Sequence, residues 1–243
     1  MLSKARIGVI GHMANHYKDD LMKSYFEQFG SEYPDDYSMD PINASGNMGR
    51  LMEELLPTAF MNKPHKEEEM EVLFERFMRI HFPGLENDII EKVNSNNNIY
   101  NMFKAVKLSA ANAVSRTLST KLGNFWEEIA NLSSNVIAPE IEFKITLKGI
   151  DVVLKKNNNF YFTQMKTQKN TLTGSQLGRS IQELSVYNNS LFVACIDNNA
   201  KWTYGVVENR VAGRQFWDDC NISYDRLLNN IGKLVTAAEL LLE

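Results

Sequence analysis

Three side chains in the stretch 150–170, IDVVLKKNNNFYFTQMKTQKN, have the types and spacing to hydrolyse a phosphodiester: Asp151, Gln164 and Lys166. That reaction needs a water made nucleophilic near neutral pH, neutralised charge on the phosphoryl oxygens and a stabilised anionic leaving oxygen. Magnesium held by hard oxygen ligands supplies all three. Asp151 offers a carboxylate ligand and Gln164 a carbonyl oxygen. Alternate residues of a strand share a face, so Gln164 and Lys166 point together, and the ammonium can contact the phosphate and orient the attacking water. Asp151 stands between Ile150 and Val152-Val153, where an unpaired charge is costly. The blander account, a turn-proximal acid paired with Lys148 or Lys166 on the surface, leaves that placement unexplained.

Elements of the second half must bring these groups together. EFKITLKGIDVVLKK alternates and is rich in β-branched residues, the asparagines at 157–159 break it, and FYFTQMKTQ resumes. This predicts an antiparallel hairpin with Asp151 at the middle of its first strand. SLFVACIDN and WTYGVVEN predict two more strands, the first apolar enough to be central. Between hairpin and strands, TLTGSQLGRSIQELSVY opens with Ser/Thr and continues at helical spacing through Leu177, Ile181 and Leu184. Before the hairpin, KLGNFWEEIANL places Leu122, Phe125, Trp126 and Ile129 on one helix face, with Glu127 and Glu128 at its edge, and that geometry does not choose between the two acids. The order is therefore helix, hairpin, helix, strand, strand. The closing segment repeats apolar residues at Leu227, Leu228, Ile231, Leu234, Val235, Ala238 and Leu241, a core-packing stripe with a helix-mediated dimer contact as the lesser reading.

The first half reads as helical scaffold. Apolar residues recur at helical spacing in DLMKSYFEQF, GRLMEELL and EEEMEVLFERFMRIHF, with expected stops at Gly30, Pro57 and Pro83-Gly84. A further helix is expected after SNNN at 95–98, through MFKAVKLSAANAVSRTLS. His12 and His16 share a helix face but lack a third ligand, and RIGVIGHM lacks the glycine spacing of a dinucleotide fingerprint. The division expected is a helical region over 1–118 and a catalytic core over 119–243.

Composition bounds what such a site can act on. A chain of 243 residues, 44% hydrophobic, can bury a core without staples. Its two cysteines, Cys195 within LFVACI and Cys220, point to buried thiols and a reducing compartment rather than a disulfide framework. No signal-peptide core or long apolar run is present, so a soluble cytoplasmic protein is expected. A net charge of −4 argues against indiscriminate coating of nucleic acid. The charge is uneven, however: Lys144, Lys148, Lys155, Lys156, Lys166, Lys169 and Arg179 face only Asp151 across 144–179. A local basic surface in an acidic protein suits a polyanion at one place, although ordinary solvated strand lysines would give the same pattern.

The order Gly149-Ile150-Asp151, about a dozen residues, then Gln164-Met165-Lys166 resembles the PD-(D/E)XK nuclease superfamily, and most of all its type II restriction endonucleases. The resemblance covers roughly residues 120–205. In that family an Asp on one strand and an acidic-X-Lys on the next form the metal site. It implies catalytic roles for Asp151, Gln164 and Lys166, and a magnesium site of Asp151, Gln164 and a helix acid, Glu127 or Glu128, of which Glu127, by its spacing from Gly123 and Ala130, is the more similar to the family's helix. The chain departs from the commonest pattern in Gln164, where an acid is usual, and Ile150, where proline is usual; the glutamine variant occurs in the restriction-enzyme branch. The family also places a helix after the hairpin with polar residues toward the phosphates. Thr173, Ser175, Gln176 and Arg179 stand there, and with Lys148 and Lys169 they are the candidate DNA contacts.

The resemblance implies an α/β (α+β) fold, a restriction-endonuclease-like core with a central mixed β-sheet flanked by helices. The implied protein is a magnesium-dependent endodeoxyribonuclease cutting double-stranded DNA as a homodimer, in a restriction-modification system whose cognate DNA methyltransferase is encoded separately. One alternative is a repair, recombination or defence nuclease with structure-dependent cutting. Another is a catalytically inactive DNA-binding relative. Base contacts are expected from the first half or from the loops around Asn209–Arg214.

Overall fold

The structure, a computed structural model, describes residues 18–25, 27–29, 40–94 and 99–240. His12, His16, RIGVIGHM and the SNNN run lie largely or wholly outside the described residues. The protein is a mixed α/β fold: a five-stranded sheet flanked by helices on both faces, as expected. The strands are β1 (Val136–Ile137), β2 (Val152–Lys156), β3 (Asn159–Gln168), β4 (Ser190–Ile196) and β5 (Arg210–Ala212), in that spatial order. β1, β2 and β3 pair antiparallel, whereas β3, β4 and β5 pair parallel. The β2–β3 turn holds Asn157 and Asn158 at φ of 50° and 60°, the successive left-handed pair that a two-residue hairpin requires and asparagine tolerates.

Helices α1 (Pro41–Met61), α2 (Met70–Asn94), α3 (Ile99–Met102), α4 (Val106–Ala130) and α5 (Pro139–Phe143) precede the hairpin. α6 (Gly174–Ser185) makes the crossover from β3 to β4, and α7 (Arg214–Asp219) and α8 (Tyr224–Glu239) close the chain. Period-two alternation divides the sheet residues between two cores. Val152, Leu154, Met165, Val193 and Cys195 face α2, α4, α7 and α8, while Val153, Phe162 and Phe192 face α1 and α6. Cys195 and Cys220 are buried free thiols. No helix among the described residues is long and apolar enough to cross a membrane.

Several expected boundaries move. Pro57 does not end its helix: α1 continues to Met61 because Phe60, 6% exposed, stacks on Phe160 at 5.6 Å. Pro83-Gly84 likewise lies inside α2, which carries on so that Leu85 reaches Ala113, Val114 and Ala238. The helix expected through MFKAVKLS is interrupted at Lys104, φ 56°, between α3 and α4. α4 runs unbroken through position 118/119, the expected division of the chain, and packs on both α2 and β3. The first hairpin strand begins only at Val152, so Asp151 precedes it rather than occupying its middle. WTYGVVEN is not a strand; β5 starts at Arg210, and Tyr204 instead stacks on Phe192 at 4.2 Å.

Candidate active site

Asp151 enters the sheet on a turn built for it. Gly149 has φ +72°, a conformation other residues rarely adopt, and it lies inside the turn closed by the isolated Leu147–Ile150 bridge. The β2–β3 register pairs Val152 with Thr163, so one step further Asp151 stands opposite Gln164. The backbone N–H of Met165 donates to Asp151 Oδ2 at 2.5 Å, and the Asp151 N–H donates to the Thr163 carbonyl at 2.9 Å. The carboxylate is thereby held against β3 between Gln164 and Lys166. Gln164 pairs with Phe192 and Lys166 with Ala194 on β4, which puts the group toward the carboxyl ends of the parallel strands. That is where ligand sites gather in open α/β sheets.

α4 brings a second carboxylate. Trp126, 1% exposed, donates its indole N–H to Thr167 Oγ1 at 3.0 Å and so fixes the helix immediately beyond Lys166. The next residue, Glu127, is pushed up to about 8, first by burial, then by the charges of Asp151, Glu140 and Glu128, with Lys166 opposing. Asp151 is pushed up to about 6, chiefly by burial and also by Glu183, while Lys166 and the Met165 N–H hold it down. The two helix acids differ in their surroundings: Glu127 is half-buried and feels the charge of Asp151, whereas Glu128 ion-pairs with Arg76 of α2. Burial is the main cause at both carboxylates, Asp151 adds to the shift of Glu127, and Lys166 only partly offsets either.

Gln164 is 5% exposed. Its Nε2 donates to Glu183 Oε2 at 3.4 Å, and its Oε1 is buried without a partner among the described residues. A buried orphan acceptor beside two strained carboxylates fits an oxygen-loving cation, and the all-oxygen donor set suits magnesium. Asp151, Glu127 and Gln164 Oε1 are the groups that would hold it. Among the described residues no three His, Cys, Asp or Glu side chains group closely enough to hold a metal by themselves.

The candidate DNA contacts are less unified than expected. Thr173 caps α6, and its N–H is taken by the Gln176 side chain at 3.0 Å; Ser175 is exposed beside it. Arg179 lies on the same helix with its side chain 70% exposed, its Nε bound to Glu183 at 2.7 Å. Lys148 sits before the Gly149 turn, its N–H donating to Ser45 Oγ at 3.1 Å. Lys169 is largely buried, ion-paired with Asp197 and packed 5.8 Å from the Trp202 ring. The expected single basic surface is divided. Lys155 and Lys156 close β2 at the hairpin tip, the end away from Asp151, where Lys156 pairs with Asp219 at 2.7 Å and Lys155 lies over Phe60. The segment around Asn209–Arg214 is also committed internally: Arg210 donates to the Tyr204 carbonyl at 2.7 Å and lies over Trp202, and Arg214 pairs with Asp225.

Two acids near the site were not singled out from the sequence, Glu140 of α5 and Glu183 of α6. The only available signal for Glu183 was its position four residues after Arg179, a spacing that usually marks a surface ion pair. Comparison with known protein families, with curated proteins and with solved structures finds no match to this chain.

Proposed function

We propose that the protein is a magnesium-dependent endodeoxyribonuclease of the PD-(D/E)XK kind, acting on double-stranded DNA as a type II restriction endonuclease and homodimer. The observation that carries this reading is the meeting of Asp151, Gln164, Lys166 and Glu127 at one end of the sheet. There two carboxylates, both raised chiefly by burial, stand near an amide oxygen that has no partner among the described residues. Bound magnesium would polarise the attacking water and offset charge on the phosphoryl group. Asp151, held by the Met165 N–H, keeps its second oxygen for the metal. Lys166 follows Gln164 on the same strand face, in place to contact a non-bridging phosphate oxygen and orient the nucleophile. Thr173, Ser175 and the exposed head of Arg179 on α6 would meet the flanking backbone.

A second reading has one observation in its favour: the position at which the family usually carries an acid is held by neutral Gln164. On that account the fold binds DNA without cutting it. Incubation of the purified chain with phage or plasmid DNA, with magnesium and with chelator, separates the readings. Discrete magnesium-dependent fragments support the restriction type, and smears or cutting of branched substrates support a structure-dependent nuclease. A gel shift without cleavage supports the binding protein, and neither shift nor cleavage removes all three.

A further inference from the structure

Among the described residues, Glu183 is the one acidic residue that is fully buried, at 4% exposed. A carboxylate removed from water is destabilising unless it is well paired, and an apolar residue would pack α6 on the sheet without that cost. Its pairing is instead directed at one neighbour. Oε1 accepts from Arg179 Nε at 2.7 Å, and Oε2 accepts from Gln164 Nε2 at 3.4 Å. The backbone also makes way for it: a Cβ on Gly149 would lie 2.6 Å from both Cβ and Oε2 of Glu183. Only a glycine lets the turn that carries Asp151 pass so close.

The consequence concerns the two ends of the Gln164 amide. A carboxylate accepts hydrogen bonds and donates none, so Glu183 takes the nitrogen end, and the oxygen end faces a position where no donor among the described residues meets it. We propose that Glu183 is the positioning residue for Gln164. It fixes the amide with Oε1 toward the cation and supplies from α6, one contact further out, the negative charge that an acid at position 164 would carry. Arg179 holds Glu183 in turn. This inference rests on the metal-site reading above.

The test measures manganese binding to the full-length chain by calorimetry, together with thermal unfolding in chelator, so that the readout does not depend on turnover. Loss of a group that orients a metal ligand weakens affinity by about 10-fold to 100-fold. Glu183→Gln is expected to show that loss without a lower unfolding midpoint, because the introduced amide can donate to Gln164 Oε1 and turn that side chain away. The exchange Gln164→Glu with Glu183→Gln restores one carboxylate and one amide in contact and is expected to bind manganese within about threefold of the unaltered protein. If Glu183→Gln fails to fold, the exchange variant decides, and weak binding there overturns the proposal. Equal affinity in Glu183→Gln and the unaltered protein overturns it while leaving the metal site intact. Absence of manganese binding to the unaltered protein removes the metal site and this proposal together.

Discussion

Replacing Asp151 by asparagine should stabilise the metal-free protein while removing its response to magnesium. The Asp151 carboxyl stands at about 6 against an ordinary 3.8, so the folded state holds a proton that the unfolded chain has already lost. A group raised in this way lowers stability as pH climbs from its unfolded value through its folded one, and the full cost is present above both. At about 1.4 kcal/mol per pH unit, the full difference is about 3 kcal/mol. About half of it develops between roughly pH 5 and pH 8. The Asp151→Asn side chain keeps an acceptor for the Met165 N–H but cannot ionise, and it also relieves Glu127 of its main charged neighbour. Unfolding in urea with chelator present should therefore show the variant more stable by about 3 kcal/mol near pH 8, or roughly 6–12 °C in midpoint for a chain of this size. The advantage should shrink by about 1.5 kcal/mol near pH 5. Saturating magnesium should raise the midpoint of the unaltered protein and leave that of the variant in place. A variant less stable near pH 8, or an advantage independent of pH, would refute the claim that burial makes the ionised Asp151 carboxylate costly to hold.

Other substitutions probe the surrounding parts. Lys166→Ala and Asp151→Ala should each abolish magnesium-dependent DNA cleavage in a plasmid assay while leaving the circular dichroism of the fold and some gel-shift affinity; near-normal turnover in either would remove the basis for the site. Glu127→Gln should weaken manganese binding measured by calorimetry, whereas Glu128→Gln, which breaks only the exposed pair with Arg76, should cost under about 1 kcal/mol in urea unfolding and spare the metal. Trp126→Phe leaves Thr167 Oγ1 without its indole donor and should destabilise by about 1–2 kcal/mol in the same assay, with reduced metal affinity because Glu127 is no longer anchored. Gly149→Ala combines a positive φ with contact on Glu183 and should cost about 1–3 kcal/mol, with no loss of stability as the contrary result.

The parts of the fold legible in the sequence were those where local chemistry and tertiary demand agree. The Asn157-Asn158 turn, the apolar β4 and the capped α6 appear where periodicity and turn residues put them, as does α8, although of its expected stripe Leu228 and Val235 are exposed and Leu241 lies outside the described residues. The strand expected over 142–156 shows why alternation alone misleads. Phe143, Ile145, Leu147 and Ile150 are all buried, yet they lie in α5 and an irregular segment; period-two burial was satisfied without a ladder. Pro57 and Pro83 were overridden because Phe60 and Leu85 gain burial further along their helices. At the site, spacing brought out Asp151, Gln164 and Lys166. The family's spacing favoured Glu127 over Glu128, but the physical distinction needed the Trp126–Thr167 bond and the position of Arg76, both set by chain segments far apart in sequence. Glu183 looked like a helix-surface acid because its burial depends on how α6 leans on β3.

The proposed site would hold one cation between Glu127, Asp151 and Gln164, with Lys166 beside it. Iron(II) in place of magnesium, given peroxide and ascorbate, generates hydroxyl radicals that cut the polypeptide next to the bound metal, and mass spectrometry of the fragments locates the breaks. Scission concentrated around residues 127, 151 and 164–166, suppressed by excess magnesium and absent in Asp151→Ala, is the predicted result. Breaks elsewhere in the chain, or a pattern that magnesium does not protect, would contradict it.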